Sequence, residues 1–311
     1  MTPERRIRFT VQLTEASSGA EWTRLAQRME SLGYSGISMP DHLGPQFAPV
    51  PALAAAAVAT SRPRITMAVL ANDFRNPVLL AKEAATLDVL SGGRLDLGMG
   101  AGWSEQDYRQ AGLPFDRPSV RIARLVEAVT IIKRLLEGEQ VTFRGKYYHV
   151  DGCQLTPRPV QRPRPRLALG GGAPMMLGAA ARHADIVSIA TDNRHRTAAG
   201  QNPNATLAAV GQATRWIAEA APGRAGDLEL NLRVLRVSVG PDRFAAAAGL
   251  APEFGLPAEE VARSPFCAAG TAAQVSDHFR SVRDRLGISS FTISAAAAEA
   301  LAPVVERLTG T

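Results

Sequence analysis

The sequence predicts an α/β fold of the (β/α)8 type, a TIM barrel with insertions after its fourth helix and its seventh strand. Short apolar runs of strand length alternate with amphipathic stretches along the whole chain, the pattern of repeated βαβ units. Eight such units in sequence, joined by right-handed crossovers, close most simply into a barrel. A doubly wound open sheet usually places a glycine-rich turn after its first strand, and here Leu13 runs into Thr14-Glu15-Ala16-Ser17.

The elements follow in order. Ile7 to Leu13 is the first strand, and Trp22, Leu25, Ala26, Met29 and Leu32 mark a helix that Gly33 closes. Gly36 to Met39 is the second strand, followed by an alanine-rich helix over Pro51 to Thr60. Ile65 to Leu70 is the third, and Pro77 opens a helix that ends at Leu90 before Ser91-Gly92-Gly93. Leu95 to Gly98 is a short fourth strand, and the helix after Pro118 places Ile122, Leu125, Val129, Ile132 and Leu136 on one face. The alternation then breaks over about 138–165. Val141 to Val150 reads as a hairpin turning at Arg144-Gly145, and Thr156 to Arg166 as an extended Pro/Arg-rich segment. It resumes with strands at Leu167 to Leu169, Asp185 to Ala190, Leu228 to Val239 and Ser289 to Ser294. Helices cover Pro174 to His183, Ala205 to Ala220, the stretch bearing Val275 to Leu286, and Pro303 to Leu308; Gly240 to Pro265 is a long connection. The insertions are internal, so residues 1–311 are expected to form a single domain.

Composition narrows the function classes. With 46% hydrophobic residues and 311 positions, the chain can bury a large core without staples. The net charge is +6, and all but three of the 35 basic residues are arginine, the exceptions being Lys82, Lys133 and Lys146. Acidic residues interleave the basic ones, which argues against a nucleic-acid surface while leaving room for anionic ligands. Cys153 and Cys267 are too few for a disulfide framework or a zinc site. Met1 to Glu15 lacks the apolar core of a signal peptide, and no run approaches the roughly 18 residues of a membrane span. A cytoplasmic protein without membrane or nucleic-acid partners is expected.

Barrels of this type build their ligand site from loops at the C-terminal strand ends. That rule selects Asp41-His42 after the second strand, Ala71-Asn72-Asp73 after the third, and Gly100-Ala101-Gly102-Trp103 after the fourth. It also selects Gly170-Gly171-Gly172-Ala173 after the fifth and Thr191-Asp192-Asn193 after the sixth. Gly170 to Ala173 ahead of a helix suits a phosphate cradle, because backbone N–H groups and the helix N-terminus attract anions. It equally suits a tight turn that needs positive φ. Neither this run nor Gly98-Met99-Gly100-Ala101-Gly102 has the G-x-G-x-x-G spacing. His42 stands apart from His149, His183, His195 and His278, whose positions suit loop, capping or helix-flank roles. Imidazole can donate or accept a proton near neutrality, and no second histidine pairs with it at ligand spacing, so acid/base work is expected rather than metal binding, with a structural hydrogen-bonding histidine as the other reading.

Several stretches resemble one family, the luciferase-like oxidoreductases. Gly33-Tyr34-Ser35-Gly36-Ile37 leading to Pro40-Asp41-His42 is similar to its second-strand motif. The run from Asn76 to Arg94, continued by Leu97 to Trp103, is similar to its most recognisable segment. Phe115-Asp116-Arg117-Pro118, Pro265-Phe266-Cys267 and Gly270-Thr271 fit as well, so the resemblance spans nearly the whole chain. It implies a barrel that holds coenzyme F420 or, in the other branch, reduced FMN. In the F420 branch it implies that Asp41 contacts the cofactor and His42 acts as acid/base. A non-proline cis peptide near Ala68-Val69 would back the ring, Gly100, Ala101 and Gly102 would line it, and Gly170, Gly171, Gly172 and Ala173 would receive the phosphate.

The expected activity is hydride transfer between F420 and a small organic substrate, with reduced-FMN monooxygenation and a non-catalytic flavin-binding barrel as alternatives. A homodimer is implied by the resemblance, with a flavin or F420 reductase as a further partner. Trp103 departs from the family's sugar-phosphate dehydrogenases, some of which have glutamate there. It points to a more apolar pocket, with packing in the core or a lid as the other reading.

Overall fold

A computed structural model describes residues 5–311 apart from the Asn193 side chain; residues 1–4 of the Met1–Glu15 segment lie outside the described part. The chain runs β1 (Arg8–Gln12), α1 (Gly19–Ser31), β2 (Gly36–Met39), α2 (Pro49–Ala59), β3 (Arg64–Met67), β4 (Leu70–Ala71), α3 (Pro77–Leu90) and β5 (Leu95–Gly100). It continues with α4 (Glu105–Gln110), α5 (Pro118–Leu136), β6 (Val141–Arg144), β7 (His149–Cys153), β8 (Arg166–Gly171), α6 (Pro174–His183), β9 (Ile186–Ile189) and α7 (Leu207–Ala220). It ends with β10 (Glu229–Arg233), β11 (Arg236–Val239), α8 (Arg243–Phe254), α9 (Ala258–Arg263), β12 (Cys267–Gly270), α10 (Ala272–Leu286), β13 (Ile288–Ser294) and α11 (Ala298–Leu308). The barrel strands follow the hydrogen-bonded order β3-β2-β1-β13-β10-β9-β8-β5, and β3 pairs with β5, giving the expected (β/α)8 fold. No described helix is long and apolar enough to cross a membrane.

The chain falls into two compact units. One comprises Met1–Leu13 (described from Arg5), Arg28–Gly36 and Gly170–Thr311; the other comprises Thr14–Gln27 and Ile37–Leu169. In the first, β1 pairs in parallel with β13 from Arg8↔Ser290 to Gln12↔Ser294. Alternate residues point to opposite faces. Phe9 and Phe291 both meet Phe279 of α10, with ring centroids 5.1 and 4.6 Å away, so their face lies under the helices. The opposite face carries Ser290, Thr292 and, on β10, Asn231. Its amide donates to Ser290 Oγ at 3.0 Å and Thr292 Oγ1 at 3.1 Å, and its Oδ1 accepts from Ser188 Oγ at 2.9 Å.

In the second unit, β3 and β5 approach so closely that a Cβ at Gly98 would lie 1.7 Å from the Met67 carbonyl oxygen. That contact accounts for the glycine in the strand. Asp96, near the start of β5, accepts two-pronged bonds from Arg64 and Arg166, at 2.6–2.8 Å and 2.9–3.0 Å. Asp88, inside the segment of strongest family resemblance, accepts from the Val160 and Gln161 amides at 2.7 and 3.0 Å. A helix residue thereby holds the insertion in place, and satisfies amides that the Pro-rich segment, which joins no strand ladder, leaves free.

Several boundaries differ from the sequence reading. The expected seventh strand is two: β10 stays in the barrel, while β11 pairs with β12 in a separate parallel sheet. The Leu235 amide donates to Phe266 O at 2.7 Å, which diverts the chain from the barrel ladder. The connection after it contains α8 and α9; the Asp242 carboxylate caps α8 by accepting from Phe244 and Ala245 amides, and the alanine run Ala245–Ala248 is helical. The third strand breaks between β3 and β4, where the Ala68–Val69 peptide is cis. Gly100 and Gly170–Gly171 belong to strands rather than to the loops beyond them. The hairpin joins β6 to β7 through residues 145–148, with the Gly145 amide donating to Tyr148 O, rather than turning at Arg144-Gly145. The last helix starts at Ala298, five residues before Pro303.

His278, expected at the flank of its helix, is buried on α10, and its Nε2 has no hydrogen-bond partner. Burial, and then the charge of Arg243, push this imidazole down to about 4. The unfolded chain takes up the proton near 6.5 and the folded chain only near 4. Between those values the unfolded state binds more protons, so stability is full above pH 6.5 and falls as pH drops. The loss should reach about 3 kcal/mol by pH 4. Urea denaturation at pH 7 and pH 4.5 should give a smaller stability difference for His278→Leu than for the wild type.

Candidate active site

The strand ends of the second unit assemble a polar cluster around Asp41 and His42, which leave β2 after Pro40. The Asp41 carboxylate accepts the Ala71 amide at 3.0 Å and both ends of the Arg75 guanidinium, at 2.5 and 3.1 Å. It thereby fixes the segment that follows the cis Ala68–Val69 peptide. Asp41 Oδ1 makes only the longer of these bonds, so it retains acceptor capacity.

His42 Nδ1 lies 2.7 Å from Asp107 Oδ2. An ionised carboxylate can only accept, so the ring nitrogen facing it carries the proton. This leaves Nε2 without a partner among the described residues. Burial pushes the Asp107 carboxyl up, but the hydrogen bond and charge of His42, with bonds from Ser104 and the Leu43 backbone, bring it below the ordinary range. Trp103 meets His42 edge-on, with centroids 5.5 Å apart, and is 57% exposed. It is therefore a surface residue beside the imidazole rather than part of the core.

Asp107 sits on α4, a helix missing from the sequence reading. Its signal is Ser104-Glu105-Gln106-Asp107, a Ser-x-x-Asp capping pattern, and Ser104 Oγ accepts the Asp107 amide at 3.3 Å. Gly102 has φ +77°, and a Cβ there would lie 2.1 Å from the Tyr108 hydroxyl. That hydroxyl lies 3.0 Å from Asp73 Oδ2 and 3.2 Å from the carbonyl of buried Ala101. Arg124 donates to Asp73 at 2.7 Å and also pairs with Asp116. Gly100 leaves room for Val69, whose Cγ2 would stand 2.9 Å from an added Cβ. Ala68 and Val69 are half-buried. Asn72, nine-tenths buried, donates to Asp73 and to Tyr148 Oη, while its Oδ1 is buried without a partner.

In the first unit, Gly170 and Gly171 end β8 and Gly172-Ala173 leads into α6. None of the three glycines has positive φ, which removes one of the two readings of this turn. Close approach demands them instead: a Cβ at Gly172 would lie 2.4 Å from Thr191 O, and one at Gly171 2.4 Å from Met176 Cγ. No side chain caps α6, and Pro174 occupies its first turn. A cavity of about 110 Å3 adjoins the turn, lined in part by Gly172, Thr191, Gln212, Trp216 and Phe266. Asp192 is held below the usual carboxylate range by its bonds from Arg194, the shortest 2.6 Å. The side chain of Asn193 is outside the described set.

The structure thus brings Asp41, His42, Ala68, Val69, Gly100, Ala101 and Gly102 into one unit, and Gly170 to Ala173 into the other. In the second unit, an unpartnered imidazole nitrogen, a buried acceptor at Asn72 and spare capacity on Asp41 fit a polar heterocycle; in the first, the uncapped N-terminus of α6 by itself suits an anion.

The family model for luciferase-like monooxygenases matches residues 6–254. The chain is 32% identical over 270 residues to an F420-dependent glucose-6-phosphate dehydrogenase of Nakamurella multipartita, covering 81% of this chain and 76% of that protein. It is 36% identical over 168 residues to the protein of the same description from Intrasporangium calvum, covering 51% of this chain and only half of that one. The structure of the F420-dependent tetrahydromethanopterin reductase of Methanopyrus kandleri superposes with a TM-score of 0.78 at 19% identity, over 98% of this chain and 99% of that one.

Arg75 and Asp41 are 22% and 7% exposed, so their pairing should be tightly coupled. Arg75→Ala, which leaves the carboxylate with one amide donor, should cost about 3–5 kcal/mol in urea denaturation. The Asp41→Asn/Arg75→Ala double variant should lose less than the sum of the single losses.

Proposed function

Because the chain belongs to the luciferase-like monooxygenase family, we propose that it is an F420-dependent oxidoreductase acting on a small organic substrate, with residues 1–311 as one catalytic domain. The observation that carries the reading is the His42–Asp107 pair beside Asp41, at strand ends where this fold places its chemistry. Bound F420 supplies or accepts the hydride, and the chain supplies binding, orientation and one proton. Asp41, Asn72, Val69 and the Gly100–Gly102 segment are assigned to the ring side, and Gly170–Ala173 with the start of α6 to the phosphate.

His42 Nε2 is assigned the acid/base role. With Nδ1–H turned to Asp107, a neutral imidazole presents Nε2 as a bare acceptor, and a protonated one presents it as a donor. Asp107 holds the ring in that orientation and stabilises the cationic form when Nε2 takes the proton. Trp103 covers one edge of the imidazole and limits water around it. The reading also carries a cytoplasmic homodimer served by an F420 reductase.

F420 fluorescence should be quenched saturably on titration with the protein, and reduced FMN should bind at least tenfold more weakly. The reverse order of affinities would assign the chain to FMN, and tight F420 binding without turnover on any alcohol, aldehyde or enone would make it a carrier. His42→Ala should lower turnover by about 10²–10⁴-fold while F420 affinity stays within threefold. Near-full turnover of that variant in stopped-flow F420 reduction would remove His42 from the chemistry.

A further inference from the structure

The inward face of the first unit's sheet presents three successive positions on β10, two residues apart. Glu229, nearest the start of the strand, is buried and paired with Arg8. Asn231 is bonded to side chains of both neighbouring strands, Ser188 on β9 and Ser290 and Thr292 on β13. Arg233 ends the strand. Side chains two apart share a face, and Leu230 and Leu232 take the other face. Arg233 therefore shares the face of Asn231 and lies one step nearer the C-terminal end. Among the described residues its guanidinium has no hydrogen bond and no ion pair.

The neighbouring charge deepens the anomaly. Arg233 is exposed, and partial desolvation by the surrounding protein, then the charge of Arg236, lower its guanidinium below the ordinary arginine range. Arg236 has its own partner in Glu253 and does not supply one to Arg233. On β1, Gln12 completes the column of Arg8 and Thr10 and stands opposite Ser294 at the same end of β13. Only 6% exposed, its carboxamide makes no hydrogen bond among the described residues. An exposed cation without an ion pair and the unbonded, solvent-reached amide of an otherwise buried glutamine thus end the two strands that flank β13, on one face. The polar groups deeper on β10, Glu229 and Asn231, are matched, as buried polar groups generally are.

We infer that Arg233, assisted by Gln12, binds an oxyanion, so that the substrate of this protein carries a carboxylate or a phosphate. A guanidinium meets either group through two parallel N–H donors, and a carboxamide adds a third. The inference rests on the reading of the C-terminal strand ends as the substrate side, and it deepens that reading by naming a substrate class.

Isothermal titration with inorganic phosphate and, separately, with acetate tests it on wild type, Arg233→Gln, Gln12→Leu and Arg236→Gln, with F420 titrated into each. Wild type should bind at least one of the two anions saturably. Arg233→Gln should weaken that anion at least tenfold and Gln12→Leu severalfold, whereas Arg236→Gln should change it by less than threefold. The stronger of the two anions identifies the group, and F420 affinity should be the same in all four proteins. Unchanged anion binding in Arg233→Gln overturns the proposal. A parallel loss of F420 affinity also overturns it, because the cation would then serve the cofactor. Failure of wild type to bind F420 at all would count against the cofactor reading, and the comparison of anion affinities would still decide the role of Arg233.

Discussion

The carboxylate of Asp41 is the tie on which the second unit's strand ends depend. It stands at the end of β2 and accepts from the Ala71 amide and from both arms of Arg75, so it joins β2 to the irregular chain that follows β3. A carboxylate this enclosed is stable only with its acceptors filled. Its bonds therefore fix the entry to α3, the helix that in turn anchors the Pro-rich insertion through Asp88. The neighbouring residue, His42, is placed by the same tie, and Asp107 then selects which of its nitrogens faces outward.

Each unit handles its polar groups in its own way. In the second, charged side chains near the strand ends are matched in pairs and triads: Asp41 with Arg75, Asp73 with Arg124 and Tyr108, Asp96 with Arg64 and Arg166. Such matching costs desolvation but holds rotamers in place, which is what a site requiring orientation needs. In the first unit, the inward face pairs Glu229 with Arg8, fills its middle with neutral amide and hydroxyl groups, and ends β10 at Arg233. The glycines near the strand ends make space rather than turns. Gly98, Gly171 and Gly172 stand where a Cβ would strike a carbonyl or a packed methionine, so their conservation of space serves close packing at the ends of β3, β8 and β9.

Much of this was legible in the residues. The Asp41-His42 pair stood out because it follows a strand, and strand ends are where a barrel gathers ligand groups. The Ala68–Val69 position was reached through the resemblance, and the structure has its cis peptide there. Asp107 leaves only the Ser104-x-x-Asp107 capping pattern in the sequence, because a helix of six residues has too little apolar periodicity to register. Arg75 sat beside Asn76-Pro77 without any local sign of its partner, since an ion pair thirty-four residues long in sequence leaves no periodic trace. Arg233 was hidden inside what reads as one strand from Leu228 to Val239.

The sequence by itself determined the barrel, the order of its elements, the family and the rim residues, because alternation of apolar and amphipathic runs and local turn chemistry are properties of neighbouring residues. Tertiary structure alone decided which groups pair. It turned His42 Nδ1 toward Asp107, buried His278 without a partner for Nε2, diverted β11 from the barrel to β12, and left Arg233 unmatched. These outcomes depend on distances between segments far apart in the chain, and hydrogen bonds form or fail over a few tenths of an ångström.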